Sequence, residues 1–199
     1  MANKKLNLAV FISGSGSNLQ ALIDACAAAD FPAQIALVLS NNPKAFGLQR
    51  AQKAGLPTVL VNHKDFKSRE EFESKITEVL KPHPIDLICL AGFMRILTPG
   101  FVDKWANRII NTHPALLPRH GGQGMYGEHV HKAVLAAGDP ESGPTIHYVT
   151  AGVDQGPVIL QRKISVLPGD TPETLASRVL EQEHIAYPEA IRLLAQKRS

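Results

Sequence analysis

Cysteine is scarce in this chain. The two present, Cys26 and Cys89, form neither a CxxC pair nor a metal-ligand spacing, which excludes a disulfide scaffold. Each lies in an apolar stretch, the setting of a buried, reduced thiol in a reducing compartment. A surplus of one charge is lacking too. A net charge of +3 is too small for a nucleic-acid surface, though it suits an anionic small molecule. No apolar run is long enough to span a bilayer, and the one after the short polar N-terminus is too brief for a secretion signal. The expectation is a soluble, cytoplasmic protein that engages neither membrane nor nucleic acid. Internal repeats and low-complexity linkers are missing. A length of 199 residues suits one domain, or at most two small ones, with a real core. Oligomeric state is not legible.

What the sequence does contain is a recurring unit: a short apolar run, a turn, then a helical segment. Strands are expected at 8–12, 35–39, 58–61, 87–91 and 108–111, and helices at 17–29, 44–54, 68–80 and 99–105. Ser68 and Glu71 have the spacing of a capping box. Runs that are apolar throughout are buried on both faces, and their alternation with helices implies parallel pairing with helices on both sides. Residues to about 113 therefore read as a doubly wound, mostly parallel α/β sheet. Beyond it come a Gly-rich loop at 119–127 and a helix at 130–137. Apolar runs at 145–149 and 158–166 read as a hairpin-type addition to the sheet. A long C-terminal helix is expected from 172 to about 196, bent near Pro188.

Gly14-Ser-Gly-Ser-Asn18 sits between the first strand and the first helix. The free N–H groups and dipole of a helix start attract an anion, and glycine lets a phosphate approach the backbone. The same residues also suit a tight turn capped by Ser17 or Asn18. A dinucleotide site is disfavoured, because Leu19 stands where a third glycine belongs and no acidic residue occurs between Asp30 and Asp65. The Gly-Lys-Ser/Thr of a Walker loop is absent. A single phosphate ester fits better than NAD or ATP.

The run Ile109-Ile-Asn-Thr-His-Pro-Ala-Leu-Leu-Pro118 puts Asn111 and His113 two apart at the end of a buried strand, hence on one face. Open α/β sheets bind ligands at that end. Asn donates to a developing oxyanion, and His does so when protonated and also moves protons near neutral pH. Against this, Asn111 reads as a turn cap and His113 as a satisfied interior histidine. Asp154, in Gly-Val-Asp-Gln-Gly-Pro, reads either as an Asx-turn or as the carboxylate that orients His113 or holds a water. A metal site on His113, His120, His129 and His131 matches no strong signature.

Together these segments resemble the phosphoribosylglycinamide formyltransferase family, folate-dependent enzymes of purine synthesis. The matching stretches are Ile12-Ser-Gly-Ser-Gly-Ser-Asn-Leu-Gln20, Leu90-Ala-Gly-Phe-Met-Arg-Ile-Leu97, Ile110-Asn-Thr-His-Pro-Ala-Leu-Leu-Pro118, Ser142-Gly-Pro-Thr-Ile-His147, Gly152-Val-Asp-Gln-Gly-Pro157 and Glu183-His-Ile-Ala-Tyr-Pro188. They fall in the family's order along nearly the whole chain. The resemblance implies a Rossmann-like formyltransferase fold over residues 1–199 as a single domain. Residues 1–113 would form its phosphate-binding half and 114–199 its folate and catalytic-loop half. It implies transfer of a formyl group from 10-formyltetrahydrofolate, as co-substrate and without a metal, to the amine of glycinamide ribonucleotide. Asn111, His113 and Asp154 would be catalytic. Gly16, Ser17 and Asn18 would meet the phosphate and Glu183 the ribose. Met94, Arg95, Ile96, Leu97 and Val153 would line the folate, with His147 standing behind the catalytic groups.

Two departures from the family's pattern bear on the acceptor. The loop after Pro118 reads Arg119-His-Gly-Gly-Gln-Gly-Met-Tyr-Gly127, longer and differently spelled than in many relatives. No basic residue shortly precedes Glu183, where Val179, Leu180, Glu181 and Gln182 stand. Related hydrolases that remove the formyl group with water carry an extra N-terminal domain, and the methionyl-tRNA formyltransferases a C-terminal one. Neither is expected here. A non-catalytic phosphate-binding protein using only Gly14 to Asn18 is the reading from a different class.

Overall fold

The computed structural model describes residues 4–197. Its first half runs β1 (Leu6–Ile12), α1 (Ser17–Ala27), β2 (Ala33–Ser40), α2 (Gly47–Lys53), β3 (Thr58–Leu60), α3 (Arg69–Leu80), β4 (Leu87–Leu90), α4 (Pro99–Lys104) and β5 (Ile109–His113). The second half runs α5 (Glu128–Ala137), β6 (Glu141–Ser142), β7 (Thr145–Tyr148), β8 (Val158–Gln161), β9 (Ile164–Ser165) and α6 (Pro172–Gln196). Seven strands form one sheet in the order β3-β2-β1-β4-β5-β7-β8. The first five are parallel, and β7 and β8 add antiparallel at the β5 edge. This is the expected doubly wound sheet with its hairpin addition.

The continuous apolar run of β1 divides by alternation. Leu6, Leu8, Val10 and Ile12 face one core, with Leu19 and Leu22 of α1 and Tyr187 and Ile191 of α6. Ala9 and Phe11 face the other, with Phe72 and Ile76 of α3 and Phe101 of α4. A strand sandwiched this way can spare no polar residue at mid-length, which is why it reads as apolar throughout. In α6, Leu175, Val179, Glu183, Ala186, Tyr187, Ala190, Ile191 and Leu194 are buried, one helical stripe that is apolar apart from Glu183.

Several boundaries differ from the sequence reading. The helix expected from 44 begins at Gly47, because Asn42 Oδ1 accepts from Lys44 N at 3.0 Å and closes a turn there. Ser68 caps α3 by accepting from Glu71 N, but the Glu71 carboxylate takes Lys67 N rather than Ser68 N, so the box closes one residue early. The run 158–166 divides into β8 and β9, and β9 leaves the main sheet to pair with β6. The bounds of α6, Pro172–Gln196, are as expected, with buried residues on both sides of Pro188. A 3-10 turn at His63–Asp65 had no expectation.

The chain winds outward from β1 in both directions, so the loops after β1 and β4 diverge and leave a crevice. Ser13 ties its walls together: its hydroxyl donates to Asn41 Oδ1 at 2.6 Å and accepts from Met94 N at 2.8 Å. On the other flank α2 presses onto the crevice through two glycines. A Cβ on Gly16 would lie 2.5 Å from Gly47 Cα, and Gly16 also holds φ 71°. Gly16→Ala is expected to destabilise the fold by about 2–4 kcal/mol, the sum of left-handed strain and overpacking. Gly14→Ala, with nothing within 4 Å of its added Cβ, should change stability by less than about 1 kcal/mol. Urea unfolding midpoints of the two variants check this, and equal effects would remove the close approach as the cause.

Candidate active site

Pairing of β5 with β7 sets Asn111 opposite His147 and His113 opposite Thr145. His147 Nδ1 lies 2.9 Å from Tyr148 O. A carbonyl only accepts, so Nδ1 carries the proton and Nε2 accepts. The Asn111 amide supplies that second bond, with Nδ2 3.3 Å from His147 Nε2. Burial, ahead of every other influence, holds the His147 pKa below its ordinary value, which keeps the ring neutral and able to accept at pH 7. His147 thus fixes the rotation of the Asn111 amide.

Asp154 reaches this pair from the loop after β7. Its backbone is left-handed, φ 56°, a conformation Asp tolerates better than most residues. Its Oδ2 lies 3.4 Å from His113 Nδ1 and accepts from Gly122 N at 3.0 Å. Its Oδ1 stands 3.6 Å from His147 Nε2, an acceptor when neutral, so that oxygen takes no hydrogen bond from the ring. His113 Nε2 in turn donates to His120 O at 2.8 Å. Asp154 and His113 both engage the loop 119–127, which is held from outside by Asp139. That carboxylate meets His120 Nε2 at 2.6 Å and Arg119 Nη1 at 3.0 Å. The His120 hydrogen bond leads the causes that hold the Asp139 pKa below its usual value.

Asn111, His113, His147 and Asp154 line a cavity of about 790 Å³. Met94 and Ile96, which are 56% and 51% exposed, line it too, with Val149 and Val153. Large apolar side chains left uncovered inside a concave site suit a flat, largely apolar ligand body. Arg95 and Leu97 join them, and Arg95 Nε is buried without a partner. In the same cavity Asn18 Nδ2 donates to Glu183 Oε2 at 2.6 Å. Burial pushes the Glu183 pKa up to about 7, against the lowering effect of the Asn18 hydrogen bond.

Gly16, not Ser17 or Asn18, is the N-cap of α1, and no side chain caps the helix. The first-turn N–H groups are therefore left for an anion. Asn18 has turned its side chain to Glu183 instead. Ser17 faces a second cavity of about 430 Å³, shared with Gln20, Ala21, Asp24, Arg50 and His184.

The structure thus brings all the sequence-derived residues but two to one cavity; Ser17 lines the second, and Gly16 lines neither. Both halves of the chain contribute to the lining of the larger cavity. Met94 to Leu97 come from the first half and Val153 from the second, and likewise Asn18 and Glu183. Sequence reasoning missed the His120 carbonyl and the Gly122 N–H, because backbone groups leave no residue signature. It missed Asp139 as their anchor, and His131, which is buried behind the site with Nδ1 unpartnered. Burial, then the charge of His113, lowers the His131 pKa. Among the described residues no group of three or more His, Cys, Asp and Glu side chains is arranged to hold a metal.

The formyl transferase family matches residues 6–191. The chain is 46% identical over 196 residues to the trifunctional purine biosynthetic protein adenosine-3 of Drosophila melanogaster, a match covering 98% of this chain but only 14% of that protein. It is 43% identical over 193 residues to the phosphoribosylglycinamide formyltransferase of Escherichia coli, covering 97% and 89% of the two chains. The solved phosphoribosylglycinamide formyltransferase of Brucella melitensis superposes with a TM-score of 0.90 at 44% identity, covering 96% of each chain.

The raised Glu183 pKa makes a stability prediction with a definite sign. Between the unfolded value of 4.5 and the folded value of about 7, rising pH ionises the unfolded chain first, so stability is lost. Glu183→Gln removes that loss. The variant should match wild type near pH 4.5 and exceed it at pH 8 by up to about 3 kcal/mol. Urea midpoints at both pH values decide it, and a gap independent of pH would contradict the buried-acid account.

Proposed function

The chain belongs to the formyl transferase family, and from that premise we propose that it transfers the formyl group of 10-formyltetrahydrofolate to the amine of glycinamide ribonucleotide, in purine synthesis. The observation that carries this reading is the position of Asn111, His113 and Asp154. They line one cavity together with apolar side chains suited to a folate ring system and with Asn18 of the first turn of α1, whose uncapped start suits a phosphate. The pterin lies along Met94 to Leu97 and against Val153. The ribose hydroxyls meet Glu183, and the phosphate meets the backbone of Gly16, Ser17 and Asn18. We read residues 1–199 as a single domain. We place the enzyme in the cytoplasm, a reducing compartment that suits the free thiols of Cys26 and Cys89.

The amine attacks the formyl carbon, and charge develops on the carbonyl oxygen. Asn111, with one amide hydrogen held by His147, offers the other to that oxygen. His113 exchanges the His120 carbonyl for the oxyanion, the stronger acceptor. Asp154 Oδ2 stabilises the imidazolium. Oδ1, facing neutral His147, is the oxygen with capacity to take the amine proton, directly or through water, and to pass it toward the leaving folate nitrogen. The tetrahedral adduct then collapses with loss of tetrahydrofolate, and no covalent bond to the enzyme forms.

Release of tetrahydrofolate, followed by absorbance, should depend on glycinamide ribonucleotide. Equal release in water alone would make the protein a hydrolase, and none in either case would leave a binding protein. Asp154→Asn should lower turnover about 100- to 10,000-fold, and Asn111→Ala about 100- to 1,000-fold, both with wild-type unfolding transitions. Near wild-type turnover in either variant would remove that residue from the mechanism.

A further inference from the structure

Two basic side chains that the mechanism leaves unused converge on the start of α1 from other helices. The Gly16–Gly47 approach lays α2 against the cradle, and Arg50, one turn beyond Gly47, comes with it. Its Nε donates to Ser15 O at 2.8 Å, its Nη1 lies 3.4 Å from Gln20 Oε1, and its guanidinium stands 5.0 Å from the Phe46 ring centroid. These contacts hold the side chain in place while Nη2 keeps no protein partner among the described residues. His184 follows Glu183 on α6, so the two residues look into adjoining cavities: Glu183 into the larger, His184 into the one that holds Ser17 and Arg50. The His184 ring makes no hydrogen bond to the described protein, and its Nε2 is buried without a partner. Burial first, and the nearby charge of Arg50 second, lower its pKa, with Glu181 opposing. Asp24 shares the rim, but its Oδ1 is taken by Gln20 Nε2 at 2.9 Å.

Two cation-forming groups held beside an uncapped helix start repel one another until an anion separates them. We propose that Arg50 and His184 are the side-chain ligands of the acceptor's phosphate and make the enzyme select a phosphorylated amine over its nucleoside. They supply the positive charge that the residues before Glu183, with Leu180 at the third place upstream, do not. A ligand with its ribose at Glu183 would pass over Asn18 and Ser17 to set its phosphate between Arg50 and His184. The inference rests on the functional reading above.

The test compares glycinamide ribonucleotide with its dephosphorylated nucleoside in wild type, Arg50→Gln, Arg50→Lys and His184→Gln. Arg50→Gln should raise KM for the ribonucleotide at least about tenfold and His184→Gln about three- to tenfold, the range expected for one charge-assisted hydrogen bond. KM for the folate should move less than about twofold by the same reasoning, since neither residue lines its cavity. Preference for the ribonucleotide over the nucleoside should fall by the same factor as KM rises, with Arg50→Lys recovering part of it. A variant that merely loosened the loop at Ser15 would lose both acceptors alike, and that result, or an unchanged KM in both neutral variants, overturns the proposal. A wild type that transfers no formyl group defeats the functional reading instead. The phosphate site then stands on calorimetry with ribose 5-phosphate: binding by wild type that both neutral variants lose supports it, and no binding by wild type overturns it.

Discussion

The seam where the sheet changes from parallel to antiparallel governs the site. β5 is parallel to β4 on one side and antiparallel to β7 on the other, and its register alone decides which residues look into the cavity. A slip of one residue would turn Asn111 and His113 to the opposite face and part Asn111 from His147. Side chains of the neighbouring strands, bonded to the backbone beyond the end of β5, secure that register. Thr145 Oγ1 donates to Ala115 O at 2.6 Å and accepts from Leu117 N at 3.0 Å and Gln161 Nε2 at 2.8 Å. A buried hydroxyl with all its capacity used in this way is costly to disturb. It fixes the path by which the chain leaves His113 and so the direction from which the glycine-rich loop arrives.

The second fixed reference is α6. Tyr187, fully buried, brings its hydroxyl to Leu90 O at 2.9 Å and Ile110 O at 3.3 Å, tying the helix to the end of β4 and to β5. One turn earlier the same stripe carries Glu183. A stripe tuned only for packing would hold an apolar residue there, because a buried acid weakens the fold wherever it must ionise. The partner for that acid is an asparagine in the first turn of α1, a helix start that no side chain caps. Local rules are broken together at Asn18 and Glu183, the clustering expected of a ligand site, which is the role proposed for them.

Much of the architecture was legible in the sequence because its causes are local. Strands buried on both faces are apolar along their middle, and so stand out. The Asn111-x-His113 spacing follows from the two-residue period of a strand, and the order of strand, glycine turn and helix announces the cradle. Asp154 was legible as a candidate but not as a neighbour of His113, since nothing local joins the end of β5 to the loop after β7. The boundary errors have the same origin: Asn42 closing a turn, Glu71 choosing Lys67 and β9 leaving the sheet are settled by partners that sequence spacing does not rank. Which of Ser17 and Asn18 would cap α1 had the answer that neither does, because Glu183, far along the chain, claims Asn18.

The loop 119–127 marks a different limit. Its contribution to the site is made of backbone: the His120 carbonyl holds His113 Nε2, and the Gly122 N–H holds Asp154 Oδ2. A Cβ on Gly121 would fall 2.5 Å from Leu117 Cδ2 and 3.3 Å from Asp154 Cβ, so a side chain enters here only if Leu117 gives way. What the site requires here is a path rather than a set of side chains, and many spellings can trace one path. A loop of this kind departs from its relatives in sequence without departing in role, provided its anchor keeps the path. Here the anchor is Asp139, which grips both Arg119 and His120 at the loop's start. Geometry delivered by main-chain groups is invisible to motif reading, however closely it touches the residues of the candidate site.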